Sequence, residues 1–242
     1  REKIEGLAQS LQVANEGQSN LIHIMNHQIK GYLSKSRNIF SELLSDSDYG
    51  LNSNATPMVK EGLDSLTEGV EFVQQVLNGS SAETGKLMYA MKPMDMKELV
   101  VTVANHQKEL ADSKGLSYEI NITEGDYLIK ADHLQLKEAI RNLIDNSIRY
   151  TLKGGLKINL SRESDKIIFK VIDTGIGISP ADKPKLFTKG GRGKDSLKYN
   201  VNSTGYGLSF VKAVVEAHKG IVSVASDGPG KGSTFTVELP VN

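Results

Sequence analysis

The sequence predicts an α+β protein in two parts. An N-terminal helical hairpin dimerises to a four-helix bundle, and an α/β sandwich follows, with a helix layer on a mixed, mostly antiparallel sheet. Three observations predict it. Apolar residues recur at helical spacing through the first 80 residues. Helix-period and strand-period segments then alternate. The chain closes on two strands, Ile221 to Ala225 and Ser233 to Leu239, joined by Asp227-Gly228-Pro229-Gly230.

In the first part Ile22, Met25, Ile29, Tyr32, Ser36, Ile39 and Leu43 form one stripe, continued backwards by Leu11, Ala8 and Ile4. Asn15 and Gln18 are polar intrusions of the kind that fix register. Leu51 to Asn54 reads as a turn, with Thr56 as N-cap and Pro57 as first helical residue. Val59, Leu63, Leu66, Val70, Val73 and Leu77 repeat the spacing until Asn78-Gly79 stops the helix. A hairpin cannot bury both stripes alone, and a homodimer solves this. His27 then falls outside the bundle, with His23 on the same outer face. Surface histidines have the same signature.

The boundaries expected are 1–20 for a coiled-coil-like linker, 21–82 for the hairpin and 83–242 for the second domain, after a polar connection from Ser80 to Lys92. Helices are expected over Asp95 to Ala111, His133 to Tyr150 and Tyr206 to Lys219. Strands are expected over Leu116 to Ile122, Leu156 to Leu160 and Lys166 to Ile172. Pro180 to Thr204, rich in glycine and lysine and without period, reads as a mobile loop.

Lysine plus arginine equals aspartate plus glutamate in the 242 residues, which gives no charge argument for nucleic acid or anionic membrane. There is no cysteine, so disulfides and thiolate metal sites are excluded and a reducing, cytoplasmic setting fits. No apolar run approaches the roughly 20 residues of a membrane span. Starting at Arg1 suggests a fragment, with a sensor or membrane anchor cut away.

Three motifs carry chemistry. At the end of a strand, Asp173-Thr174-Gly175-Ile176-Gly177 brings a carboxylate and bare backbone close to something flat. Such a carboxylate can accept a hydrogen bond from adenine N6, although an ordinary tight turn has the same pattern. In the preceding helix Asn142 and Asn146 share a face with Glu138, followed by Arg149 and Tyr150. Their amide oxygens suit Mg²⁺, Arg149 suits phosphate and Tyr150 offers a ring. A solvated polar face explains them equally well in isolation. Third, Ser203-Thr204-Gly205-Tyr206-Gly207-Leu208 opens a helix, where free N–H groups meet phosphate. Lys189, Arg192 and Lys194 precede it. The order of these pieces describes a lidded ATP site.

That order resembles the catalytic domain of sensor histidine kinases. Asn142 to Tyr150 matches the family's N-box, Asp173 to Gly177 its G1 box, Leu186-Phe187 its F-box region, and Gly205 to Leu208 its G2 box. Leu21 to Leu33 resembles the H-box F-x-x-x-[MV]-S-H-E-[LI]-[RK]-T-P-L through Met25, His27, Ile29, Lys30 and Leu33. The resemblance covers about residues 21 to 240. It implies a dimerisation and phosphotransfer hairpin, a Bergerat-type ATP domain and a response-regulator receiver domain as partner. By that resemblance His27 is the phosphoacceptor, Asp173 holds adenine, and Asn142 with Asn146 holds Mg²⁺. Arg149, Lys189, Thr204 and the Gly205-Tyr206-Gly207-Leu208 segment surround the phosphates, with Tyr150 packed near the nucleotide.

Three positions depart from the pattern: Gln28 for glutamate, Gly31 for threonine or asparagine, and Tyr32 for proline. Gln28 can orient the imidazole but is a poor base. These departures bear on kinase and phosphatase rates, not on the fold. Two other readings compete. A gyrase- or chaperone-type ATPase would use a glutamate to activate water, which requires the alignment Glu138-x-x-x-Asn142 one turn earlier. A catalytically weak, nucleotide-binding dimeric scaffold would follow from Gln28.

Overall fold

The protein is described here by a computed structural model covering residues 28–45, 50–83, 88–188 and 205–241. The chain divides into two compact units, Arg1–Gly85 and Lys86–Asn242.

In the first unit helix α1 spans 28–45 and helix α2 spans Ala55–Glu83. They close on small residues. Leu33 lies against Gly69 and Phe40 fills the space beside Gly62, where a Cβ has no room. Lys30 Nζ donates to Gln74 Oε1 further along the same seam. The row next to it, Ile29, Tyr32 and Ile39, is left exposed within one chain, Tyr32 to 71%. On α2 the predicted stripe turns inward, ending in buried Val73 and Leu77. The predicted heptads before residue 28 lie outside the described residues.

Two expectations for α2 are corrected. The helix starts at Ala55, not at Pro57, because Asn52 rather than Thr56 caps it: Asn52 Oδ1 accepts from Ala55 N at 2.8 Å and from Asn54 N at 3.0 Å. At the other end α2 runs through Asn78-Gly79 to Glu83. An interior glycine costs only about 1 kcal/mol relative to alanine, too little to stop a long helix.

The second unit carries helices α3 (Met96–Ser113), α4 (His133–Tyr150) and α5 (Gly207–Ala217). Its strands are β1 (Lys92–Asp95), β2 (Ser117–Ile122), β3 (Leu128–Ala131), β4 (Gly155–Glu163), β5 (Lys166–Asp173), β6 (Ile221–Ala225) and β7 (Ser233–Pro240). β1 and β3 form a separate antiparallel pair that the alternation pattern did not reveal. The other five make one sheet in the order β2-β4-β5-β7-β6. Only β2 with β4 is parallel, so the sheet is mixed and mostly antiparallel.

Capping chemistry sets the helix starts. Asp95 accepts from Lys97 N ahead of α3, and Asp132 accepts from Gln135 N ahead of α4. Along α4, Leu136, Ile140, Leu143, Ile144 and Ile148 follow helical spacing and are fully buried. Along β5, Ile167, Phe169, Val171 and Asp173 alternate with Lys166, Ile168, Lys170 and Ile172, so the first set shares one face. That face meets the helix layer. The alternation therefore places a carboxyl, Asp173, at the end of a row of core residues.

Phe169→Ala should destabilise the second unit by about 3–5 kcal/mol, since the ring is fully buried on a central strand. Urea titration followed by circular dichroism reads this as a lower midpoint at unchanged slope.

Candidate functional site

At the end of β5 the Asp173 side chain is only 6% exposed and is held by three donors. Its Oδ1 accepts from Gly175 N at 2.8 Å and Ser233 N at 3.2 Å, and its Oδ2 accepts from Ser233 Oγ at 2.5 Å. Burial pushes this carboxyl above its ordinary value of 3.8, while the Ser233 hydroxyl, the two amides and Ser147 oppose the rise. The fully buried Ser147 hydroxyl lies outside hydrogen-bonding geometry, yet close enough to favour the charged form.

The loop after Asp173 is fitted to its surroundings through glycine. A Cβ on Gly175 would stand 2.5 Å from Tyr150 O and 2.9 Å from Asp173 Oδ1. Gly177 adopts φ +69° and presses on Gly228 O, a position closed to other residues on both counts. Ile176 N donates to Tyr150 O at 3.1 Å, which ties the loop to the end of α4.

The β6–β7 connection clasps the same loop from the other side. Gly230 N donates to Ile176 O at 2.6 Å and Gly232 N to Gly175 O at 3.1 Å. Ser226 Oγ accepts from Ile178 N at 3.0 Å and donates to Gly232 O at 2.6 Å. Lys183, in a single 3₁₀ turn, adds a bond from Nζ to Ser226 O at 2.5 Å.

Helix α4 is the wall shared by all of this. Asn142 is buried, and its Nδ2 donates to Glu138 O at 2.8 Å, which turns Oδ1 away from its own helix. That oxygen faces Gly207 at the start of α5, where a Cβ would lie 3.2 Å from it. No side chain among the described residues caps α5 at Tyr206, so the first amides, from Gly207 and Leu208, present the helix's positive end. Asn146 is half-buried one turn beyond Asn142. Helix α4 thus meets the start of α5 at Asn142 and the loop after Asp173 at Tyr150, with Asn146 between them on the same helix.

Two predicted groups behave differently. Arg149 Nε donates to Asp145 Oδ2 at 2.7 Å, so its guanidinium is engaged across one turn of α4. Gln28 is exposed in the first described turn of α1. His23, His27, Lys189, Arg192, Lys194, Ser203 and Thr204 lie outside the described residues, as does most of the predicted loop. Sequence reading missed Ser147, Lys183, Ser226 and Ser233. The glycine density of Gly228, Gly230 and Gly232, more than a simple hairpin turn needs, was the available signal for the clasp.

Among the described residues no group of three or more histidine, aspartate or glutamate side chains is placed to hold a metal. The oxygen donors that suit a hard cation are the amides of Asn142 and Asn146. No helix among those residues is long and apolar enough to cross a membrane.

Residues 131–242 match the family described as histidine kinase-, DNA gyrase B- and HSP90-like ATPase. Over nearly its whole length the chain is similar to sensor histidine kinases. It is 29% identical to the circadian input-output histidine kinase CikA of Synechococcus elongatus, over 99% of this chain and 32% of that protein. It is 27% identical to the sensor histidine kinase CusS of Escherichia coli K12, over 92% of this chain and 45% of that one. The chain thus spans under half the length of these relatives. Among solved structures, full-length ShkA in complex with AMPPNP superposes with a TM-score of 0.70 at 24% identity, over 93% of this chain and 45% of ShkA. The Acinetobacter baumannii histidine kinase AdeS gives 0.59 at 25% identity, over 87% and 98%.

Because the raised Asp173 carboxyl binds its proton more tightly folded than unfolded, stability should fall as pH rises from 3.8 through the raised value. Above that window the loss is complete. Urea unfolding of wild type and Asp173→Asn across this range should show the stability of wild type falling relative to the variant as pH rises.

Proposed function

We propose that this chain is an ATP-dependent protein-histidine kinase that autophosphorylates His27 and passes the phosphoryl group to an aspartate of a response-regulator receiver domain. One observation carries the reading: the carboxyl of Asp173, the Gly175 and Gly177 backbone, the Asn142 oxygen and the glycine start of α5 converge along one wall, α4. The fold of the second unit and the family-model match over residues 131–242 support it, as does the AMPPNP in the solved ShkA complex.

In this reading the Asp173 carboxylate accepts the N6–H of adenine while the bare backbone of Gly175 and Gly177 meets the ring. The Asn142 and Asn146 amides would hold Mg²⁺, which when bound would supply charge shielding for the phosphates. The α5 amides, with Lys189 and Thr204, hold the phosphates, and Arg149 joins them by leaving Asp145. A nitrogen of His27 forms a P–N bond to the γ-phosphorus as the bridging P–O bond breaks and ADP departs; the ring proton passes to solvent. Gln28 accepts from His27 Nδ1–H, fixing the tautomer that leaves Nε2 to attack. The exposed row on α1, Ile29, Tyr32 and Ile39, suits a homodimer.

The gyrase-type alternative needs a free carboxylate at the α4 site. Glu138 Oε2 instead accepts from Arg141 Nη2 at 2.9 Å and Nε at 3.2 Å, which supports the kinase reading over water activation by Glu138.

Incubation with γ-labelled ATP and Mg²⁺ should give acid-labile, alkali-stable label on the protein. His27→Ala should abolish it with nucleotide affinity nearly unchanged, whereas His23→Ala should keep most of it. Label persisting in His27→Ala would overturn the assignment. Asp173→Asn should weaken ATP binding by about 1–3 kcal/mol in calorimetry.

Gln28→Glu should raise the initial labelling rate at neutral pH, because a carboxylate stabilises the developing imidazolium as an amide does not. An unchanged or lower rate at equal nucleotide occupancy refutes this account of position 28. A folded, ATP-loaded protein that labels with neither residue would favour the scaffold reading.

A further inference from the structure

A second buried polar cluster lies at the opposite end of the two site helices. His218, at the C-terminal end of α5, is 7% exposed, and both ring nitrogens are engaged. Nε2 accepts from Asp132 N at 2.8 Å, and Nδ1–H donates to Val214 O at 2.7 Å. Asp132 is the N-cap of α4. Its Oδ1 caps Gln135 N, and its Oδ2 accepts from Ala90 N at 2.7 Å. The Tyr89 ring meets the His218 ring edge to face, with centroids 5.8 Å apart. One residue therefore joins the end of α5, the start of α4 and the segment that enters this unit at residues 88–91.

Both helices lead from this cluster to the candidate site. Asn142 lies about 15 Å along α4 from Asp132, and Gly207 about 16 Å along α5 from His218, at about 1.5 Å per residue. The helices run antiparallel, with Asp132–His218 as one rung and Asn142–Gly207 as the other. Phe210, Val211, Val214 and Val215 bury the inner face of α5, but at its first residue Gly207 has no side chain to interlock. Among the described residues no side-chain hydrogen bond is made at its N-cap, so a polar tie at the other end bears on where its first amides stand. A slip of one residue would move Gly207 by about 1.5 Å and turn it by about 100°.

We propose that His218 is a positioning residue for nucleotide. It pins α5 to the N-cap of α4, and thereby sets the α5 amides against the Asn142 oxygen at the far end. Tyr89 and Ala90 close the pin from the entering segment, so docking of that segment and occupancy of the site are linked, each favouring the other. The ligand named in this inference rests on the ATP-site reading; the pin itself does not.

The test uses the full chain. His218→Leu removes the acceptor, and His218→Gln keeps one, because its Oε1 reaches where Nε2 stood. Without nucleotide, the amide resonance of Gly207 should shift in His218→Leu and return toward wild type in His218→Gln. Calorimetry with Mg²⁺ and AMPPNP should show affinity lowered roughly tenfold in His218→Leu, the scale of about one hydrogen bond weakened at the α5 amides, and largely restored in His218→Gln. If His218→Leu does not fold, His218→Phe decides instead, because it keeps a ring beside Tyr89 while removing the acceptor for Asp132 N, and should likewise shift Gly207. A folded His218→Leu, or failing that a His218→Phe, with an unmoved Gly207 resonance overturns the proposal. Wild type that binds no nucleotide refutes the ATP reading, and the nucleotide-free resonance still decides the pin.

Discussion

A carboxyl taken almost out of water at the end of a central strand dictates much of the second unit. Asp173 can be ionised there only because donors reach it from its own loop at Gly175 and from strand β7 at Ser233, with the Ser147 hydroxyl of α4 close enough to favour the charge. Each of these neighbours imposes a requirement elsewhere. The Gly175 amide turns back only if the loop lacks a Cβ beside Tyr150 O. Ser233 must open β7 opposite Asp173, which fixes the register of the β5–β7 ladder. Ser147 must face the sheet, which fixes the rotation of α4 and with it the direction of Asn142.

The site is thus a by-product of correct packing. Asn142 reaches the α5 glycines because Leu143, Ile144 and Ile148 bury the neighbouring face of the same helix. The clasp of Ser226 and Lys183 adds a second layer of hydrogen bonds on the loop, made by the chain's own groups. A site prepared in this way spends little of its binding energy on ordering backbone.

The sequence made legible those features whose physics is local. The α4 boundaries followed from an acidic cap and an unbroken apolar period, and β6 from a glycine before it and a turn after it. Asp173, Gly175 and Gly177 stood out because an acid and two glycines at a strand end are an unusual local demand. Ser147 and Ser233 did not stand out. A serine is unremarkable until its neighbour is known, and Ser233 lies on a strand remote in sequence from Asp173. Strands β1 and β3 escaped notice because each has four residues, too few to establish alternation. In the hairpin, the pattern gave the apolar rows but not which of them faces the other helix, since Gly62 and Gly69 decide that by leaving room.

The place of β7 in the sheet has a kinetic meaning. It is the final described strand in the sequence, yet it sits between β5 and β6 and supplies two of the bonds to Asp173. Until it docks, β5 has an open edge and the carboxyl remains in water, where its charge costs nothing. Desolvation and hydrogen bonding of Asp173 then arrive in one event, so the chain need not pass through a state in which that charge is buried and unpaired. Such a long-range closing step is slow compared with forming the helices, and it makes assembly of this end of the domain all-or-none.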